Sequence, residues 1–395
     1  MLTDNRIVRR AFLGSLAAQA GAAWLLSPTA RAESGGSLKI VAPVHGAVLN
    51  HRHGNQRADE LTIPVAVEAP DDFRVSVNDL PCRREGQRFI ADVPLRSHET
   101  DLVARGEGSA GRQEERIRVV WDRFSRPRYR FSIDDNSFFL RDIAQKQYTS
   151  LFDCFYLKML RDLHTKYGAK FSVNIYYTTG DDFTLPQFPD RYKGEWRDNA
   201  DWLRLAFHAY ANLPDRPYQD APPEKLIADL DLVAGEIQRF AGPEAYAPPT
   251  VIHWGMTRST AFKPLVARGV RALSGYFAKS NGVWDVNYRW DDQTSEYLSR
   301  HDAWKDFESG IVFSRVDIVC NSVPQDRIAA TLEPLAGDPN TAEIMDLFTH
   351  EQYFWPFYPN YLPDHPQRLD VAIRWVTDRG YAPVFFHEGF LGVPV

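Results

Sequence analysis

The stretch Arg128-Tyr129-Arg130-Phe131-Ser132-Ile133-Asp134-Asp135 predicts a β-strand that ends at a pair of carboxylates, and it marks a change in the pattern of the chain. Downstream of it, apolar runs typical of strands alternate with segments whose apolar residues recur at helical spacing. Lys170–Tyr177 is the next predicted strand, and Lys225–Phe240 is a predicted helix with one apolar face. Repeated strand and helix units favour a parallel sheet that is covered by helices.

The number of these units indicates how the sheet is organised. About seven or eight predicted strands follow one another between residues 128 and 395, including one over Thr250–His253 and a last one over Pro383–His387. We therefore expect an α/β fold in which seven or eight parallel strands form a (β/α) barrel. A doubly wound open sheet is the alternative, although no Gly-x-Gly-x-x-Gly motif follows the first strand.

Residues 37–122 have a different pattern, in which short alternating runs are separated by turn residues. About six predicted strands recur here at spacings of roughly ten residues, and helical periodicity is absent. This spacing predicts a small antiparallel sandwich, and the segment resembles the immunoglobulin-like modules of secreted carbohydrate enzymes. We therefore expect an all-β, immunoglobulin-like domain over residues 37–122 and a second, (β/α) domain over residues 128–395.

The first 32 residues have the features of an export signal. Arg9-Arg10 precedes a weakly apolar stretch over residues 11–26, and Ala30-Arg31-Ala32 is a small-x-small cleavage sequence. This order resembles a twin-arginine signal peptide, so we expect cleavage after Ala32 and a periplasmic or secreted protein. An ordinary short N-terminal helix is the alternative.

Charge and hydropathy limit the classes of binding partner. The 395 residues include 46 lysines and arginines against 52 aspartates and glutamates, which gives a formal net charge of −6. Because there is no basic surplus, we do not expect a nucleic-acid partner. After the first thirty or so residues, no apolar run is long enough to cross a bilayer, so we expect no membrane span.

Ionisable side chains stand at the positions where the predicted strands end. Besides Asp134-Asp135, four of the eleven histidines come directly after an apolar run: His208, His253, His350 and His387. In a parallel barrel these strand ends converge on one cavity. A single such histidine is more often a core residue, but several histidines with two carboxylates form a ligand set for zinc or another divalent metal. We therefore expect a divalent metal cofactor, with zinc as the first choice.

Three of these strand ends match the motifs of one enzyme group. Ser132-Ile133-Asp134-Asp135-Asn136 is similar to the Thr-Phe-Asp-Asp-Gly motif of the polysaccharide deacetylase (NodB-homology, carbohydrate esterase family 4) superfamily. His208-Ala209-Tyr210-Ala211-Asn212 lies where that family has a His-x-x-x-His motif, and Phe348-Thr349-His350 lies where it has a Leu-x-His motif. The resemblance covers the chain from about Arg128 to the C-terminus.

The resemblance implies a role for each matching residue. The implied roles are general base for Asp134, metal ligand for Asp135 and His208, and general acid for His350. Asn212 stands where the second metal histidine is expected, and its amide oxygen is a weaker ligand than an imidazole. His253-Trp254-Gly255 stands where the family has an arginine that orients the base. His253 therefore either replaces that arginine beside Asp134, as a catalytic residue, or supplies the missing nitrogen ligand.

Aromatic residues surround the expected mouth of the barrel, and aromatic faces beside polar groups suit pyranose rings. The expected substrate contacts are Tyr210, Arg216, Trp254, Glu351, Tyr353, His387 and Glu388. We therefore expect a polysaccharide or an oligosaccharide as the substrate.

These observations lead to three candidate functions. The first is a metal-dependent deacetylase that hydrolyses N- or O-acetyl groups of an extracytoplasmic polysaccharide with a metal-activated water. The second is a glycoside hydrolase that pairs Asp134 or Asp135 with Glu351 or Glu388. The third is a carbohydrate-binding protein without turnover, for which the absent second histidine of the metal motif is the argument.

Overall fold

The computed structural model describes residues 37–389 and Leu391. The described chain divides into two compact units, with the boundary between Ser125 and Arg126. The predicted export signal over residues 1–32 lies outside the described residues. Within the described part of the chain, we find no helix that is both long and apolar enough to cross a membrane.

Two five-stranded sheets make up the first unit. Its strands are β1 (Lys39–Ala42), β2 (Val48–Leu49), β3 (Asn55–Gln56), β4 (Leu61–Glu68), β5 (Arg74–Val77), β6 (Leu80–Pro81), β7 (Arg83–Glu85), β8 (Arg88–Leu95), β9 (Glu99–Gly108) and β10 (Gly111–Trp121). One sheet has the order β1-β4-β8-β7 with β3 beside β4, and the other has the order β2-β10-β9-β5-β6. Only β2 and β10 pair in parallel; the other described pairs of this unit are antiparallel.

Burial in the first unit follows the two-residue period of the sequence. On β8, Phe89, Ala91, Val93 and Leu95 are buried, and the residues between them are more exposed. Because successive strand residues point to opposite faces, each such strand has one apolar face to bury. The predicted strands of this segment correspond to β1, β4, β5, β8, β9 and β10, and its relation to the immunoglobulin-like modules stays a prediction.

The second unit mixes strands with helices. Its strands are β11 (Arg128–Asn136), β12 (Phe171–Tyr176), β13 (Thr178–Thr179), β14 (Phe183–Thr184), β15 (Leu203–Ala209), β16 (Ala272–Gly275), β17 (Ala278–Ser280), β18 (Val283–Asp285), β19 (Ala303–Lys305), β20 (Val312–Arg315), β21 (Ile318–Val319), β22 (Ile344–His350) and β23 (Ala382–Pro383). Its helices are α1 (Phe138–Lys146), α2 (Phe155–Tyr167), α3 (Lys193–Asp198), α4 (Pro223–Phe240), α5 (Phe262–Val266), α6 (Asp292–Leu298), α7 (Ile328–Gly337), α8 (His365–Asp378) and α9 (Phe386–Gly389).

A parallel sheet with the strand order β15-β12-β11-β22-β21 forms the centre of the second unit, and β23 pairs with the beginning of β11. Strands β11 and β22 stay in register from Arg128 opposite Ile344 to Asp134 opposite His350. Every residue of β12 is buried, as expected for a strand that is covered on both faces. The parallel direction brings the carboxyl ends of β11, β12, β15 and β22 to one edge of the sheet.

A second, smaller sheet has the order β16-β20-β19. Strands β16 and β20 are parallel, and β19 runs antiparallel to β20. Among the described residues, the strands of this unit therefore pair as separate sheets and not as one closed ring of hydrogen-bonded strands. The closed (β/α) barrel stays a prediction.

Residues Thr250–His253 were expected to form a strand, but the structure has an irregular segment there that enters a 3₁₀ turn at His253–Gly255. Two causes are visible. Pro248 and Pro249 precede the segment and have no N–H group to donate to a neighbouring strand. Trp254 then adopts a left-handed backbone with φ 63°, which ends any extended conformation. His253 is therefore presented from a turn.

A buried ion pair links the strands of the central sheet beneath the strand ends. Arg130 and Asp346 are opposite each other in register, and Arg130 Nε lies 3.4 Å from Asp346 Oδ1 with both side chains almost fully buried. Ser274 on β16 also donates a hydrogen bond to Asp346. Burial raises the pKa of Asp346 to about 6, against the opposing effect of the Arg130 charge. The pair therefore joins β11, β22 and β16 in the interior of the unit.

Removing one partner of this buried pair is expected to destabilise the protein. We predict that Asp346→Ala lowers the free energy of unfolding by about 3–5 kcal/mol, because Arg130 would become a buried charge without a carboxylate. Urea denaturation followed by circular dichroism measures the loss. As a control, Asp162→Ala removes the exposed partner of Lys158 and is expected to leave the unfolding midpoint nearly unchanged; equal losses in the two variants would contradict the prediction.

Candidate metal centre

Two adjacent carboxylates at the end of β11 both face the same histidine. In a regular strand Asp134 and Asp135 would point to opposite sides. Asp135 instead has a left-handed backbone with φ 60°. As a result His208 Nε2 lies 3.0 Å from Asp135 Oδ1 and 4.0 Å from Asp134 Oδ2. A local departure from strand geometry therefore doubles the negative charge beside His208.

Asp135, His208 and His253 bring three donor atoms together, all within 4.8 Å of one another. His208 Nε2 is 3.0 Å from Asp135 Oδ1, His253 Nδ1 is 3.0 Å from His208 Nε2, and His253 Nδ1 is 3.6 Å from Asp135 Oδ1. Nitrogen and oxygen ligands at the usual bond lengths around a tetrahedral divalent ion are roughly 3.3 Å apart. The donor set and its spacing therefore fit one divalent cation.

The protonation of this cluster suits a cation site. Burial, together with the nearby His208, lowers the pKa of His253 to about 3, so its imidazole is neutral at neutral pH. Burial by itself raises the pKa of Asp135, but the hydrogen bond from His208 and the nearby His350 hold it well below its usual range. Burial by itself lowers the pKa of His208, and the charges of Asp134 and Asp135 raise it overall. Of the two imidazoles, His208 therefore takes up a proton more readily, and a cation competes with that proton.

Asp134 is held by two polar neighbours on one of its oxygens. Ser132 Oγ donates to Asp134 Oδ1 at 3.0 Å, and Asn174 Nδ2 donates to the same oxygen at 2.6 Å. The side chain is only 4% exposed, and its other oxygen is the one that faces His208. This arrangement orients the carboxylate towards the donor cluster.

His350 lies on the opposite side of Asp135 from His208. Its Nε2 is 4.0 Å from Asp135 Oδ2, and its Nδ1 donates a 3.0 Å hydrogen bond to Asn321 Oδ1. Because Asn321 fixes Nδ1 as a donor, Nε2 is the ring atom that is directed at the site. The structure thus brings the implied base, acid and metal ligands to one edge of the sheet.

Asn212, the predicted third ligand, is bound to a tyrosine hydroxyl. The Tyr176 hydroxyl donates to Asp135 Oδ1, and its oxygen lies 3.2 Å from Asn212 Oδ1 and 3.4 Å from His253 Nδ1. His253 completes a donor cluster with Asp135 and His208, and Asn212 contacts that cluster through the Tyr176 hydroxyl. The sequence placed Tyr176 only among the aromatic residues around the expected mouth; the signal for a closer role was a hydroxyl-bearing side chain at the carboxyl end of a predicted strand.

Several predicted substrate contacts lie beside the donor cluster. Trp254 follows His253 directly, and the Arg216 guanidinium lies 4.7 Å from the centre of its ring. Arg216 also makes a bidentate pair with Asp285, at 2.5 and 2.6 Å.

The ring of Tyr353 is 6.1 Å from that of His350. Tyr210, which is 41% exposed, stacks on Tyr177.

The other predicted substrate contacts do not lie in the open part of the site. Glu351 is fully buried and its carboxylate accepts backbone hydrogen bonds. Glu388 lies 3.3 Å from Arg204 Nη2 and 4.0 Å from Lys170 Nζ, which are at the amino ends of β15 and β12. His387 and Glu388 are therefore at the opposite end of the sheet from His208. The reason is that β23 is only two residues long and is followed by a helical turn, so the chain never reaches the carboxyl edge.

Comparisons with known proteins give no family for this chain. No family model and no curated protein matches it. An alpha-galactosidase of Bacteroides fragilis, named provisionally, is 10% identical over 87% of this chain and 79% of its own, with a TM-score of 0.27. A sialyltransferase from Photobacterium damsela is 14% identical over 78% and 56%, with a TM-score of 0.15. An engineered protein is 18% identical over 21% of this chain and 19% of its own, with a TM-score of 0.16. Likenesses of this size carry no argument about fold or activity.

Two substitutions distinguish the possible third ligands. We predict that His253→Ala weakens the binding of Co²⁺ or Zn²⁺ by more than about 100-fold, because a ligand nitrogen is lost. Asn212→Ala is expected to weaken binding by at most about 10–100-fold, as for a group that acts through a neighbour, and by less than His253→Ala. Titration of the metal-free protein with Co²⁺, followed by absorption spectroscopy, measures both. A greater loss in Asn212→Ala than in His253→Ala would show that the amide is the ligand.

Proton competition is expected to make metal binding weaker in acid. An ion must displace the proton of His208, whose pKa is raised above the ordinary value of 6.5. Below that raised pKa, the apparent affinity is therefore expected to fall about tenfold for each pH unit. Co²⁺ titrations between about pH 5.5 and about pH 8 measure the slope. Asp134→Asn removes a charge that raises the pKa of His208, so the fall is expected to begin at lower pH; the same onset in both proteins would contradict this account.

Proposed function

We propose that this protein is a metal-dependent deacetylase that hydrolyses N- or O-acetyl groups of a polysaccharide outside the cytoplasm. The observation that carries the proposal is the donor cluster of Asp135, His208 and His253, with Asp134 on one side and His350 on the other. Its motifs are those that resemble the polysaccharide deacetylase superfamily. The twin-arginine pattern at residues 9–10 supports export of the protein.

A divalent ion, with zinc as the first choice, would polarise the acetyl carbonyl and lower the pKa of water at this site. Asp135, His208 and His253 would hold it. Their donor atoms are two nitrogens and one oxygen, so the protein shell is incomplete for a four-coordinate ion and leaves room for water or substrate. Asp134 and His350 then supply the proton transfers.

Asp134 is the proposed general base. Ser132 and Asn174 bind one of its oxygens, which leaves the second oxygen directed at the donor cluster. A carboxylate held in this way accepts a proton from an attacking water without first having to rotate. The oxygen that accepts the proton is Oδ2.

His350 is the proposed general acid. The hydrogen bond from Nδ1 to Asn321 orients its ring and directs Nε2 at the site; in the imidazolium form both ring nitrogens carry a proton, and the Nε2 proton is the one given to the departing amine or alcohol. The two proposed proton-transferring residues are neighbours in the register of β11 and β22, in which Asp134 is paired with His350. Water is activated at one strand end and the leaving group is protonated at the next.

Aromatic residues near these groups support a carbohydrate substrate. Trp254 and Tyr353 are adjacent to His253 and His350 respectively, and both are partly exposed. Their rings offer apolar faces for a pyranose, and Tyr210 adds an exposed ring. Arg216, which is paired with Asp285, stacks on Trp254 and holds that ring in place.

The geometry gives less support to a glycoside hydrolase. The Glu351 carboxylate is occupied by backbone N–H groups, and Glu388 lies at the other end of the sheet. Neither is placed to act with Asp134 or Asp135 across a glycosidic bond. A binding protein without turnover would not need the oriented Asp134 and His350.

Acetate release tests the proposed function. We predict that the purified protein releases acetate from chitin oligosaccharides or from acetylated xylan, that removal of the metal with a chelator abolishes this activity, and that added Zn²⁺ or Co²⁺ restores it. Asp134→Asn and His350→Ala are each expected to lower kcat by about 10²–10⁴-fold. Enzymatic assay of acetate measures the rate. Release of reducing ends without acetate, or full activity after exhaustive chelation, would contradict the proposal.

A further inference from the structure

Glu351 directly follows the proposed acid His350, yet the proposed chemistry gives it no role. Its side chain is fully buried, at 0% exposure. Its carboxylate accepts four hydrogen bonds, three from backbone N–H groups and one from an indole. The donors are Ser137 N at 2.6 Å and Phe138 N at 2.9 Å on one oxygen, and Phe139 N at 2.6 Å and Trp355 Nε1 at 3.0 Å on the other. Both oxygens are therefore fully engaged by donors.

These hydrogen bonds join the two loops that carry the proposed base and acid. The three backbone donors begin helix α1 and follow Asp134-Asp135-Asn136 directly in the chain. Glu351 begins the 3₁₀ turn after β22. Without the carboxylate, three buried N–H groups of the first loop would lose their acceptor, and the segment after His350 would lose its attachment to that loop.

Gln352, the next residue, binds the metal carboxylate itself. Its Nε2 donates a 2.7 Å hydrogen bond to Asp135 Oδ2, and the residue is 9% exposed. The other oxygen of Asp135 is the one that faces His208 and His253. Gln352 therefore selects which oxygen of Asp135 is directed at the cation and holds the left-handed Asp135 in its orientation.

We propose that Glu351 and Gln352 form a clamp of two positioning residues that sets the acid and the metal carboxylate relative to each other. Glu351 holds His350 at the distance from Asp135 that protonation of the leaving group requires, and Gln352 orients Asp135 for the ion. This inference rests on the proposed function and extends it, because it assigns a separate measurable effect to each residue.

The choice of leaving group separates the role of Glu351 from a general loss of structure. Hydrolysis of a sugar acetyl group expels the sugar amine or alcohol, which needs a proton to leave, whereas 4-nitrophenyl acetate releases a stable phenolate without one. Glu351→Gln is expected to lower kcat on chitin oligosaccharides, or on acetylated xylan where that is the better substrate, by about 10–100-fold, with KM little changed. On 4-nitrophenyl acetate the same variant is expected to lose less than about threefold, and its Co²⁺ affinity to stay within about threefold, since the metal ligands are intact.

Gln352→Leu is expected to change the metal affinity and not the dependence of the rate on the leaving group. Its Co²⁺ affinity falls about 10–100-fold, because Asp135 loses the partner that orients it. Saturating metal then restores most of the activity on both substrates. The matched control is Glu195→Gln, elsewhere in the unit. The Glu195 carboxylate also accepts hydrogen bonds, from Ser150 Oγ (2.6 Å) and Leu151 N (3.0 Å). This control is expected to change neither the ratio of the two activities nor the Co²⁺ affinity.

The outcomes distinguish this inference from the proposed function. Equal losses on both substrates in Glu351→Gln, or an unchanged Co²⁺ affinity in Gln352→Leu, overturn the clamp. If Glu351→Gln does not fold, as judged by circular dichroism, Trp355→Phe removes one of the four donors and is expected to show the same leaving-group effect to a smaller degree. If the wild-type protein deacetylates nothing, the proposed function fails and the acid half of the clamp fails with it, while the Co²⁺ affinity of Gln352→Leu still decides the metal half.

Discussion

The register between β11 and β22 is the constraint on which the rest of the site depends. It sets Arg130 opposite Asp346 in the interior and Asp134 opposite His350 at the carboxyl edge. Because the side-chain period of a strand is two residues, Arg130 and Asp134 share a face, as do Asp346 and His350. A slip of one residue would place the proposed base and the proposed acid on opposite faces of the sheet. The buried ion pair therefore specifies the same register that the proposed chemistry needs.

Departures from regular backbone then determine which side chains meet at that edge. The left-handed conformation of Asp135 lets two consecutive carboxylates face His208, and the left-handed Trp254 ends the segment that presents His253 from a turn. Such conformations are disfavoured for residues other than glycine and persist where surrounding contacts hold them. Tyr176 and Gln352 supply those contacts to Asp135 from two different strand ends.

Burial gives the site its electrostatic character. Asp134, His208 and His253 are each at most 4% exposed, so their charges interact with little screening by water. Two carboxylates beside His208 raise its pKa, while burial keeps His253 neutral. In a cluster with this balance of charge, a cation and a proton compete for His208, which links metal binding to the protonation of that ring.

The sequence by itself determined the alternation of strands and helices and the positions of Asp134, Asp135, His208 and His350 at strand ends, because apolar runs and their termination are local patterns. It did not determine the length of β23, which left His387 and Glu388 at the amino edge, nor the burial of Glu351. Asn174, Asn321 and Gln352 were also missed as site residues, and Tyr176 was expected only among the aromatic residues of the mouth. Only the tertiary structure decided these points, since pairing length and the return of loops towards the sheet depend on contacts between residues far apart in the chain.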